Sequence, residues 1–292
     1  MTRGGARADV AIDASLAARL VRAQFPQWAD LPVRAVAVQG HDNRTFRLGD
    51  ALSVRLPSAE RYAAQIEREA AWLPRLAARL PLPIPVPVAL GAPGPGYPWR
   101  FSINPWLAGD SATVAAVADR TRFARDLAAF LNALAAIDAS EGPAPGPDNF
   151  FRGGDLAVYD GETRACIRRC GDRLDARAAT RVWESALAAR APAPPVWVHG
   201  DVAASNLLVA GGELCAVIDF GQLAVGDPAC DVAIAWTFFS AESRAALRSD
   251  LARDDATWAR GRGWCLWKAL LTLSAAPADP AARRILDAVL AG

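Results

Sequence analysis

The chain has 292 residues, of which 52% are hydrophobic, and its formal net charge is +1. A chain of this length can build one large or two modest domains with real cores. The near-neutral charge argues against nucleic acid as a partner, because phosphate backbones are bound by an excess of Lys and Arg. No apolar run is long enough to cross a bilayer and no signal-peptide pattern is visible, so we expect a cytoplasmic protein without a membrane partner.

Five cysteines, an odd number, are scattered through the second half of the chain. Cys166 and Cys170 would share one face of a helix, a spacing that invites a metal interpretation. Neither histidine lies near them in the sequence, and no second cysteine pair completes a tetrahedral set. We therefore interpret the cysteines as buried, reduced thiols.

The first third of the sequence has the pattern of a small sheet with one helix. Apolar residues recur at helical spacing over residues 62–80, where Pro74 is expected to kink or end the helix. The proline-rich stretch 81–87 predicts an extended connector. Short β-type runs separated by turns predict strands at residues 33–39, 45–48, 52–55, 86–91 and 99–104.

The remainder of the chain is predicted to be mostly helical, beginning with a long Ala- and Leu-rich helix over residues 114–137. The change of pattern near residue 108 predicts a small sheet-rich lobe at 1–107 and a larger helical lobe at 108–292. Further helical patterns cover residues 162–174, 181–190, 230–239, 243–251, 256–273 and 281–290, and three brief β runs cover 196–198, 207–209 and 216–218.

Those three β runs bracket the most informative stretch of the chain. Asp201 follows the first run in a His-Gly-Asp sequence, and Asn206 comes five residues later, directly before the second run. Asp219 ends the third run and is followed by Phe-Gly. A Gly-Gly turn joins the second and third strands, so Asn206 and Asp219 should lie together. Two carboxylates and one amide oxygen would then converge on one edge.

Hard oxygen donors of this kind suit Mg²⁺, which keeps several waters and takes further ligands from substrate phosphates. In phosphoryl transfer a protein mainly positions the reactants and neutralises charge. One Asp orients the attacking hydroxyl, while an Asn and a second Asp hold the metal ions. The spacing of Asp201, Asn206 and Asp219 is typical of that division of labour.

The His-Gly-Asp-x-x-x-x-Asn motif followed by Ile-Asp-Phe-Gly resembles the aminoglycoside phosphotransferase family, and a Gly-Asp-Pro-x-x-Asp segment at 226–231 agrees with it. The resemblance implies an α+β, bilobal, protein-kinase-like fold, with a small antiparallel-sheet N-lobe and a larger, mostly helical C-lobe. It implies that Asp201 is the catalytic base and that Asn206 and Asp219 bind Mg²⁺. His199 resembles the residue that braces the catalytic loop.

The resemblance also assigns nucleotide-binding roles to the first lobe, residues 1–107. The segment containing Gly40 and Asn43 falls where the family's nucleotide-phosphate loop lies. The hinge corresponds to residues 100–107, where backbone groups around Asn104 and Trp106 are expected to bind the nucleobase.

Arg55 occupies the place of the family's strand lysine, and Glu69 matches its helix partner. Arginine is a planar, permanently charged fork rather than a point charge, so the replacement is not neutral. It could still bind phosphate oxygens in a bidentate manner and pair with Glu69. The apolar strand around Arg55 favours an inward functional role over a solvated surface position.

Other polar residues of the helical lobe are expected to support the site or to contact the acceptor. Asp227 precedes Pro228, a good first helical residue, which favours a helix cap over a second acid. Asp231, one turn later, is expected to reach back to the catalytic loop. Because aminoglycosides are polycationic, acceptor contacts are expected from carboxylates and aromatic walls, namely Asp231, Glu242, Asp254, Asp255, Trp258 and Trp264.

The sequence therefore predicts a kinase that transfers a phosphoryl group from ATP or GTP, with Mg²⁺, to a hydroxyl of a small molecule. Family analogy indicates an aminoglycoside acceptor and an antibiotic-resistance role, acting as a monomer or weak dimer. The alternatives are a macrolide kinase, a metabolic kinase for choline, homoserine or a sugar, and a non-catalytic pseudokinase. The replacement at Arg55 is the one feature that favours the pseudokinase.

Overall fold

The structure, a computed structural model, describes residues 10–191 and 193–292. The chain divides into two compact units. The first comprises the residues up to Ala78 together with Ile84–Leu107, and the second comprises Arg79–Pro83 and Ala108–Gly292. Residues 1–9, where the sequence analysis looked for a signal peptide and predicted none, lie outside the described residues.

The first unit is built on a five-stranded antiparallel sheet with the strand order β1-β2-β3-β5-β4. Its buried face carries apolar side chains such as Phe46, Val54 and Ile103, which are 3% exposed or less. The two central strands, residues 52–57 and 101–105, are buried along almost their whole length, so both of their faces are covered. The strands are β1 (Val33–Ala35), β2 (Asn43–Leu48), β3 (Leu52–Pro57), β4 (Ala89–Gly91) and β5 (Phe101–Pro105).

Helix α1 (Ala14–Gln24), which the sequence analysis did not predict, covers that apolar face. Asp13 begins the helix as its N-cap, because its carboxylate accepts a hydrogen bond from the Leu16 amide at 2.7 Å. Leu16 and Leu20 lie in the core with the sheet residues. The helix is therefore stabilised mainly by burying an apolar face against the sheet.

Helix α2 (Glu60–Ala77) runs through Pro74 and ends three residues later, so the expectation that the helix ends at this proline is wrong. Pro74 lies in the last turn, where a missing amide removes only one hydrogen bond before the helix ends. Ile66, Leu73 and Leu76 are buried on one face of the helix. Tertiary packing of that face outweighs the local preference of proline.

The second unit contains two small sheets and most of the helices. β6, β8 and β9 form one antiparallel sheet, and β7 pairs with β10 in the other. The Val217 amide at the end of β9 donates a hydrogen bond to the carbonyl of Pro83. The strands are β6 (Asp110–Ser111), β7 (Val196–Val198), β8 (Leu207–Ala210), β9 (Glu213–Val217) and β10 (Ala224–Gly226).

The helices of the second unit differ from the predicted ones mainly at their ends. α3 begins at Arg120 rather than at residue 114, because Asp119 caps it by accepting hydrogen bonds from the amides of Thr121 and Arg122. The single helix expected at 230–239 is two short helices. The helices are α3 (Arg120–Ala136), α4 (Asp160–Cys170), α5 (Ala176–Ala188), α6 (Ala229–Val232), α7 (Ile234–Thr237), α8 (Ala241–Asp250), α9 (Asp255–Ala275) and α10 (Pro280–Ala291).

Helix α9 is the central helix of the second unit, and α4, α5, α6 and α10 all contact it. It is buried on most sides. Gly263 allows close packing, since a Cβ atom there would lie 2.5 Å from the Cβ of Ala186. The helix therefore joins distant parts of the unit, from Asp255 at one end to Ala275 at the other.

The five cysteines are free, and four of them are buried, as expected for reduced thiols. Among the described residues, no helix combines the length and the apolar character needed to cross a membrane. The arrangement of an antiparallel sheet followed by a mostly helical part confirms the predicted α+β class.

Candidate active site

The candidate site is built around the loop that follows β7. Asp231 holds this loop, because its carboxylate accepts hydrogen bonds from the backbone amides of His199 and Gly200, both at 2.8 Å. Burial raises the pKa of Asp231, while the two amide hydrogen bonds act in the opposite direction. Both carboxylate oxygens are thus engaged by the backbone, and Asp231 does not make the acceptor contact that the sequence analysis expected.

His199 connects the loop to the end of β9. Its Nδ1 accepts a hydrogen bond from the Asp201 amide at 3.2 Å. The other nitrogen, Nε2, therefore carries the proton and donates to the carbonyl of Ile218 at 3.0 Å. The imidazole ring packs against Phe220, with 4.4 Å between ring centroids. His199 is fully buried and positions the two segments that carry Asp201 and Asp219.

Gly200 adopts a backbone conformation that only glycine takes easily, with a φ of 86°. A Cβ atom at this position would lie 2.3 Å from the carbonyl oxygen of Gln222. The turn that presents Asp201 therefore depends on a residue without a side chain. Both the positive φ and the close approach to Gln222 require it.

Asn206 lies next to Asp201. Its Nδ2 donates to the Asp201 carbonyl at 2.9 Å and approaches the carboxylate Oδ2 at 3.4 Å. This orientation makes Oδ1 the atom that can bind a cation. The Ile218 amide donates to the Asn206 carbonyl at 2.9 Å, which joins this loop to the segment carrying Asp219.

Asp219 follows β9 with a φ of 67°, a left-handed conformation that is uncommon for a residue other than glycine. Such backbone strain is concentrated at functional sites. The next residue, Phe220, is fully buried and anchors the turn.

The donor atoms of Asn206 and Asp219 fit Mg²⁺, because a carboxylate and an amide oxygen are the hard ligands it prefers. Among the described residues, no group of three or more His, Cys, Asp or Glu side chains is arranged to hold a metal ion. A magnesium ion held here would therefore need the phosphates of a nucleotide to complete its ligands.

Asp201 forms an ion pair that the sequence analysis missed. The Lys268 Nζ on α9 lies 3.2 Å from the Asp201 Oδ1. Burial raises the pKa of Asp201, but the charges of Lys268 and Arg152 oppose burial, and the pKa lies below its ordinary value. The carboxylate is therefore ionised at neutral pH. One signal could have identified Lys268, since it is the one lysine among 32 Lys and Arg residues.

Asp227 forms a buried ion pair with Arg260, which the sequence analysis did not predict. The Arg260 Nε lies 2.6 Å from Oδ2, and Nη2 lies 2.9 Å from Oδ1. Asp227 Oδ1 also accepts a hydrogen bond from the Ala229 amide at the start of α6, which is the expected capping contact. Arg260 donates further to the carbonyl of Arg190. Asp227 thus links three segments behind the catalytic loop.

The structure does not assemble the carboxylates predicted to bind an acceptor. Asp254 caps α9 by accepting from the Thr257 amide at 2.8 Å, and Asp255 pairs with Arg248 at 2.7 Å. Glu242 is exposed in the first turn of α8. Capping and surface pairing account for the positions of these residues, and their contact with an acceptor stays a prediction.

The two predicted tryptophans lie in different surroundings. Trp258 is buried against Trp236 near the N-terminal end of α9, and Arg248 lies over its ring. Trp264 is also buried, but Arg152 lies over its ring at 5.0 Å. Because the charge of Arg152 acts on Asp201, only Trp264 belongs to the surroundings of the candidate catalytic residue.

In the first unit, the structure brings together Arg55 of β3 and Glu69 of α2. The Arg55 Nη1 lies 2.9 Å and 2.6 Å from the two carboxylate oxygens of Glu69. Arg55 is 9% exposed and Glu69 is fully buried. A buried pair of this kind holds the guanidinium in one position. The sequence alone could not show that Arg55 is held in this way.

The predicted phosphate loop is a closed turn. The side chain of Gln39 accepts from the Thr45 amide and donates to its carbonyl, both at 2.9 Å. The carbonyl of Gly40 accepts a hydrogen bond from Arg44. Asn43 is buried at the start of β2, and its Oδ1 atom has no hydrogen-bond partner.

The predicted hinge lies on β5 and just beyond it. The buried Asn104 donates from Nδ2 to the carbonyl of Pro85 at 2.8 Å. The Trp106 amide donates to the carbonyl of Ala51 at 2.8 Å, and Arg47 lies over the indole ring. The Trp106 amide is thus already engaged within the sheet, so it is not the group that meets a nucleobase.

The chain combines an antiparallel sheet with a helical unit, and that unit carries a His-Gly-Asp loop, an Asn and an Asp-Phe-Gly turn. This combination defines a phosphotransferase that acts on hydroxyl groups. Residues 33–264 match the model of the phosphotransferase enzyme family, APH. The chain belongs to this family. A comparison with curated protein sequences found no match.

Three similar solved structures show the same fold. Aminoglycoside 2'-phosphotransferase-IIIa in its GDP complex is 16% identical, with a TM-score of 0.69 over 95% of this chain and 97% of that chain. The GDP and kanamycin complex of an APH(2″) enzyme is 18% identical, with a TM-score of 0.70 over 94% and 97%. A macrolide 2'-phosphotransferase from Brachybacterium faecium is 21% identical, with a TM-score of 0.57 over 94% and 96%.

Proposed function

We propose that the protein transfers the γ-phosphoryl group of ATP or GTP to a hydroxyl of a small molecule in a Mg²⁺-dependent reaction. The observation that carries this proposal is the assembly of Asp201, Asn206 and Asp219 around one loop. Contacts to His199 and Asp231 hold that loop in place. The ionised state of Asp201, which its surrounding cations favour, is the state that can accept a proton.

In this mechanism, Asp201 orients the acceptor hydroxyl and accepts its proton. The hydroxyl oxygen forms a bond to the γ-phosphorus, and the bond between that phosphorus and the β,γ-bridging oxygen breaks. The nucleoside diphosphate leaves with the electrons of that bond. Asn206 and Asp219 hold Mg²⁺, which when bound neutralises phosphate charge. The protein contributes chiefly position and charge.

The first unit would bind the nucleotide. We propose that Arg55, which Glu69 holds in position, pairs with phosphate oxygens in a bidentate manner. The closed turn containing Gly40 and Asn43 would offer backbone amides and the Asn43 Oδ1, while Asn104 would contribute from β5. GDP in two of the similar structures supports a purine nucleotide as donor.

An aminoglycoside acceptor, and with it a role in antibiotic resistance, is supported by the kanamycin-bound similar structure. A macrolide acceptor is supported by the macrolide 2'-phosphotransferase. Likeness at 16–21% identity shows the fold alone. Choline, homoserine and sugars remain the metabolic alternatives, so all these acceptor classes belong in one screen. We also propose a cytoplasmic monomer or weak dimer, which fractionation and light scattering would test.

The experiment that tests this function measures Mg²⁺-dependent nucleotide turnover with and without acceptors, in the wild type and in Asp201→Asn. We expect kcat to fall by about 10²–10⁴-fold in the variant, because general-base catalysis is lost. The dissociation constant of the nucleotide should change little. Asp287→Asn, an exposed position on α10, is the matched control and should keep full activity.

Equal turnover in Asp201→Asn and the wild type would exclude the proposed role of Asp201. Nucleotide binding without any turnover in the wild type, across the full acceptor screen, would instead identify a non-catalytic pseudokinase. The two outcomes are distinguishable because binding and turnover are measured separately.

A further inference from the structure

Lys268 presents a compact cation to the candidate catalytic residue. Its ammonium carries three hydrogen-bond donors, and one of them faces the Asp201 Oδ1 at 3.2 Å. The Lys268 side chain is 54% exposed, so the remaining donors are accessible to a ligand beside Asp201. Every other basic position of the sequence is arginine. The one lysine of the sequence thus lies beside the proposed catalytic base, where the proposed function places the acceptor hydroxyl.

Arg152 is a second cation on this side of the unit, because it lies over the ring of Trp267, the residue directly before Lys268. Phe150 and Phe151, directly before it, have φ values of 52° and 53°, which are strained for aromatic residues. Asn149 stabilises this turn, because its Nδ2 donates to the carbonyls of Arg152 at 2.9 Å and Gln222 at 3.1 Å. The backbone of the Arg152 loop is therefore tied to the segment that follows Asp219.

The guanidinium of Arg152 rests on an aromatic platform. It lies 5.0 Å from the ring centre of Trp264 and 5.1 Å from that of Trp267. Trp267 stacks on Tyr159 with 4.1 Å between ring centroids. Within residues 10–191 and 193–292, no carboxylate forms a salt bridge with Arg152. A cation held by ring faces keeps its hydrogen-bond donors for a ligand.

The carboxylates on this side of the unit do not provide an excess of negative charge. Asp201 is paired with Lys268 and is reserved for the acceptor hydroxyl. Glu162 accepts a hydrogen bond from the Trp267 Nε1 at 2.7 Å, and Asp160 is paired with Arg164. Lys268, Arg152 and the aromatic platform are therefore available to a ligand next to Asp201, while Asp219 on the same loop assembly is reserved for the metal ion.

The acidic end of α9 is too far away to change this balance. Lys268 lies 13 positions after Asp255 on the same helix. With a rise of 1.5 Å per residue, the separation along the axis is about 20 Å. Asp254 and Asp255 therefore do not neutralise the charge of Lys268 for a ligand bound at Asp201.

We propose that Lys268 and Arg152 form an oxyanion subsite beside Asp201, and that the acceptor carries a carboxylate or phosphate group near the hydroxyl that is phosphorylated. This inference rests on the proposed function and names the acceptor class for it. A polycationic acceptor is disfavoured, because it would face two cations without an excess of carboxylates.

The test uses four polyols that share a six-carbon skeleton and differ in charge: gluconate, sorbitol 6-phosphate, sorbitol and glucamine. Titration calorimetry with the MgADP-loaded protein, and with the protein alone, measures their affinities, and kanamycin is included as a polycation. We expect at least one anionic polyol to bind about tenfold or more tightly than sorbitol and glucamine, as charge-assisted hydrogen bonds imply. Gluconate and sorbitol 6-phosphate separate a carboxylate from a phosphate preference.

Lys268→Met and Arg152→Gln should each abolish this anion preference, whereas Lys268→Arg should retain most of it. Arg248→Gln is the matched control for Arg152→Gln, because Arg248 also lies over a tryptophan of α9, at 5.1 Å from Trp258. It should leave the preference unchanged.

Acetylation of the wild type gives the same answer without a substitution, since Lys268 is the one lysine of the sequence. Acetylation removes the charge and should abolish the preference, whereas reductive methylation keeps the charge and should not. Mass spectrometry would identify the modified amines.

Tighter binding of glucamine or kanamycin, equal binding of all four polyols, or no binding of the anionic polyols would overturn the oxyanion subsite. An anion preference that survives both Lys268→Met and acetylation would do the same. Failure of the proposed function would instead appear in the turnover assay, as activity that does not depend on Asp201. The charge ranking of ligands and the Asp201 dependence of turnover are independent measurements.

Discussion

The two ends of helix α9 carry opposite charges and do different work. At the N-terminal end, Asp254 and Asp255 cap the helix and pair with a neighbouring helix. Thirteen positions after Asp255, Lys268 faces Asp201, the proposed catalytic base, and Trp264 lies under Arg152. One helix therefore supplies structural carboxylates at its N-terminal end and one cation, with aromatic rings, to the candidate active site in its C-terminal half.

This difference teaches that the residue type alone does not identify an acceptor contact. Carboxylates near a helix start are favoured by the orphan amides and the helix dipole, whatever the protein binds. Lys268 lies seven residues before the end of α9, outside the last turn, and has no such local reason. The comparison predicts that substitutions at the N-terminal end change stability, whereas those around Lys268 change acceptor binding and turnover.

The largest expected effect at the N-terminal end is that of Arg260→Met. Asp227 would remain as a buried carboxylate without its partner, so the free energy of unfolding should fall by about 3–5 kcal/mol. Chemical denaturation measures this loss. Arg248→Met removes an exposed pair and is the control, with an expected loss below about 1 kcal/mol. Equal losses in the two variants would contradict the structural importance of the buried pair.

Gly263→Ala tests the close packing of α9 between its two ends. The new methyl group would lie 2.5 Å from the Cβ of Ala186 and 2.8 Å from a methyl of Leu156. We expect a loss of about 1–3 kcal/mol by thermal or chemical unfolding, since overpacking outweighs the better helix propensity of alanine. Gly161→Ala, on α4 with open space at the Cβ position, should instead stabilise the protein slightly. A stabilised Gly263→Ala variant would show that the helices can separate at no cost.

Asp254→Ala removes the N-cap of α9 and should cost about 1 kcal/mol at neutral pH. The Thr257 side-chain hydroxyl and backbone amide lower the pKa of Asp254 in the folded protein. A lowered folded pKa means that the stabilisation is complete above the unfolded value of about 3.9 and is lost as pH falls through the folded value. Unfolding curves across that range should show the difference from the wild type shrinking. The Michaelis constant for the acceptor should not change, and a large increase would restore Asp254 as an acceptor contact.

Asp255→Asn should have the smallest effect. The pair with Arg248 is exposed on both sides, so less than about 1 kcal/mol of stability is expected to be lost, and less still at high salt. Denaturation at low and high ionic strength measures this. Asp255 would be an acceptor contact after all if the substitution weakened acceptor binding tenfold while stability stayed the same.

Local sequence patterns were sufficient where one short segment holds all the information. The spacing of Asp201 and Asn206 and the turn at Asp219 predicted that these side chains lie close together. In the structure Asn206 contacts Asp201, and His199 joins the Asp201 loop to the segment that carries Asp219. Helix ends were less predictable. The start of α3 moved to Arg120 because the Asp119 cap, rather than apolar periodicity, decides where the helix begins.

Contacts between distant segments could not be predicted from periodicity. Helix α1 is short, and its place against the sheet depends on packing with residues far along the chain. The partnership of Asp227 with Arg260 joins residues 33 positions apart, and neither residue indicates the other. Pro74 remains within α2 because the buried face of that helix stabilises it.

The sequence by itself determined the family, the α+β class and the identity of the three phosphoryl-transfer residues proposed here, because these are encoded in short motifs of fixed spacing. Only the tertiary structure decided which charges surround Asp201. Lys268 lies 67 positions from Asp201, and the loop of Arg152 lies 49 positions before it. Electrostatic interactions depend on distance in space, so the charges that govern the acceptor side were fixed by the packing of α9 and the Arg152 loop.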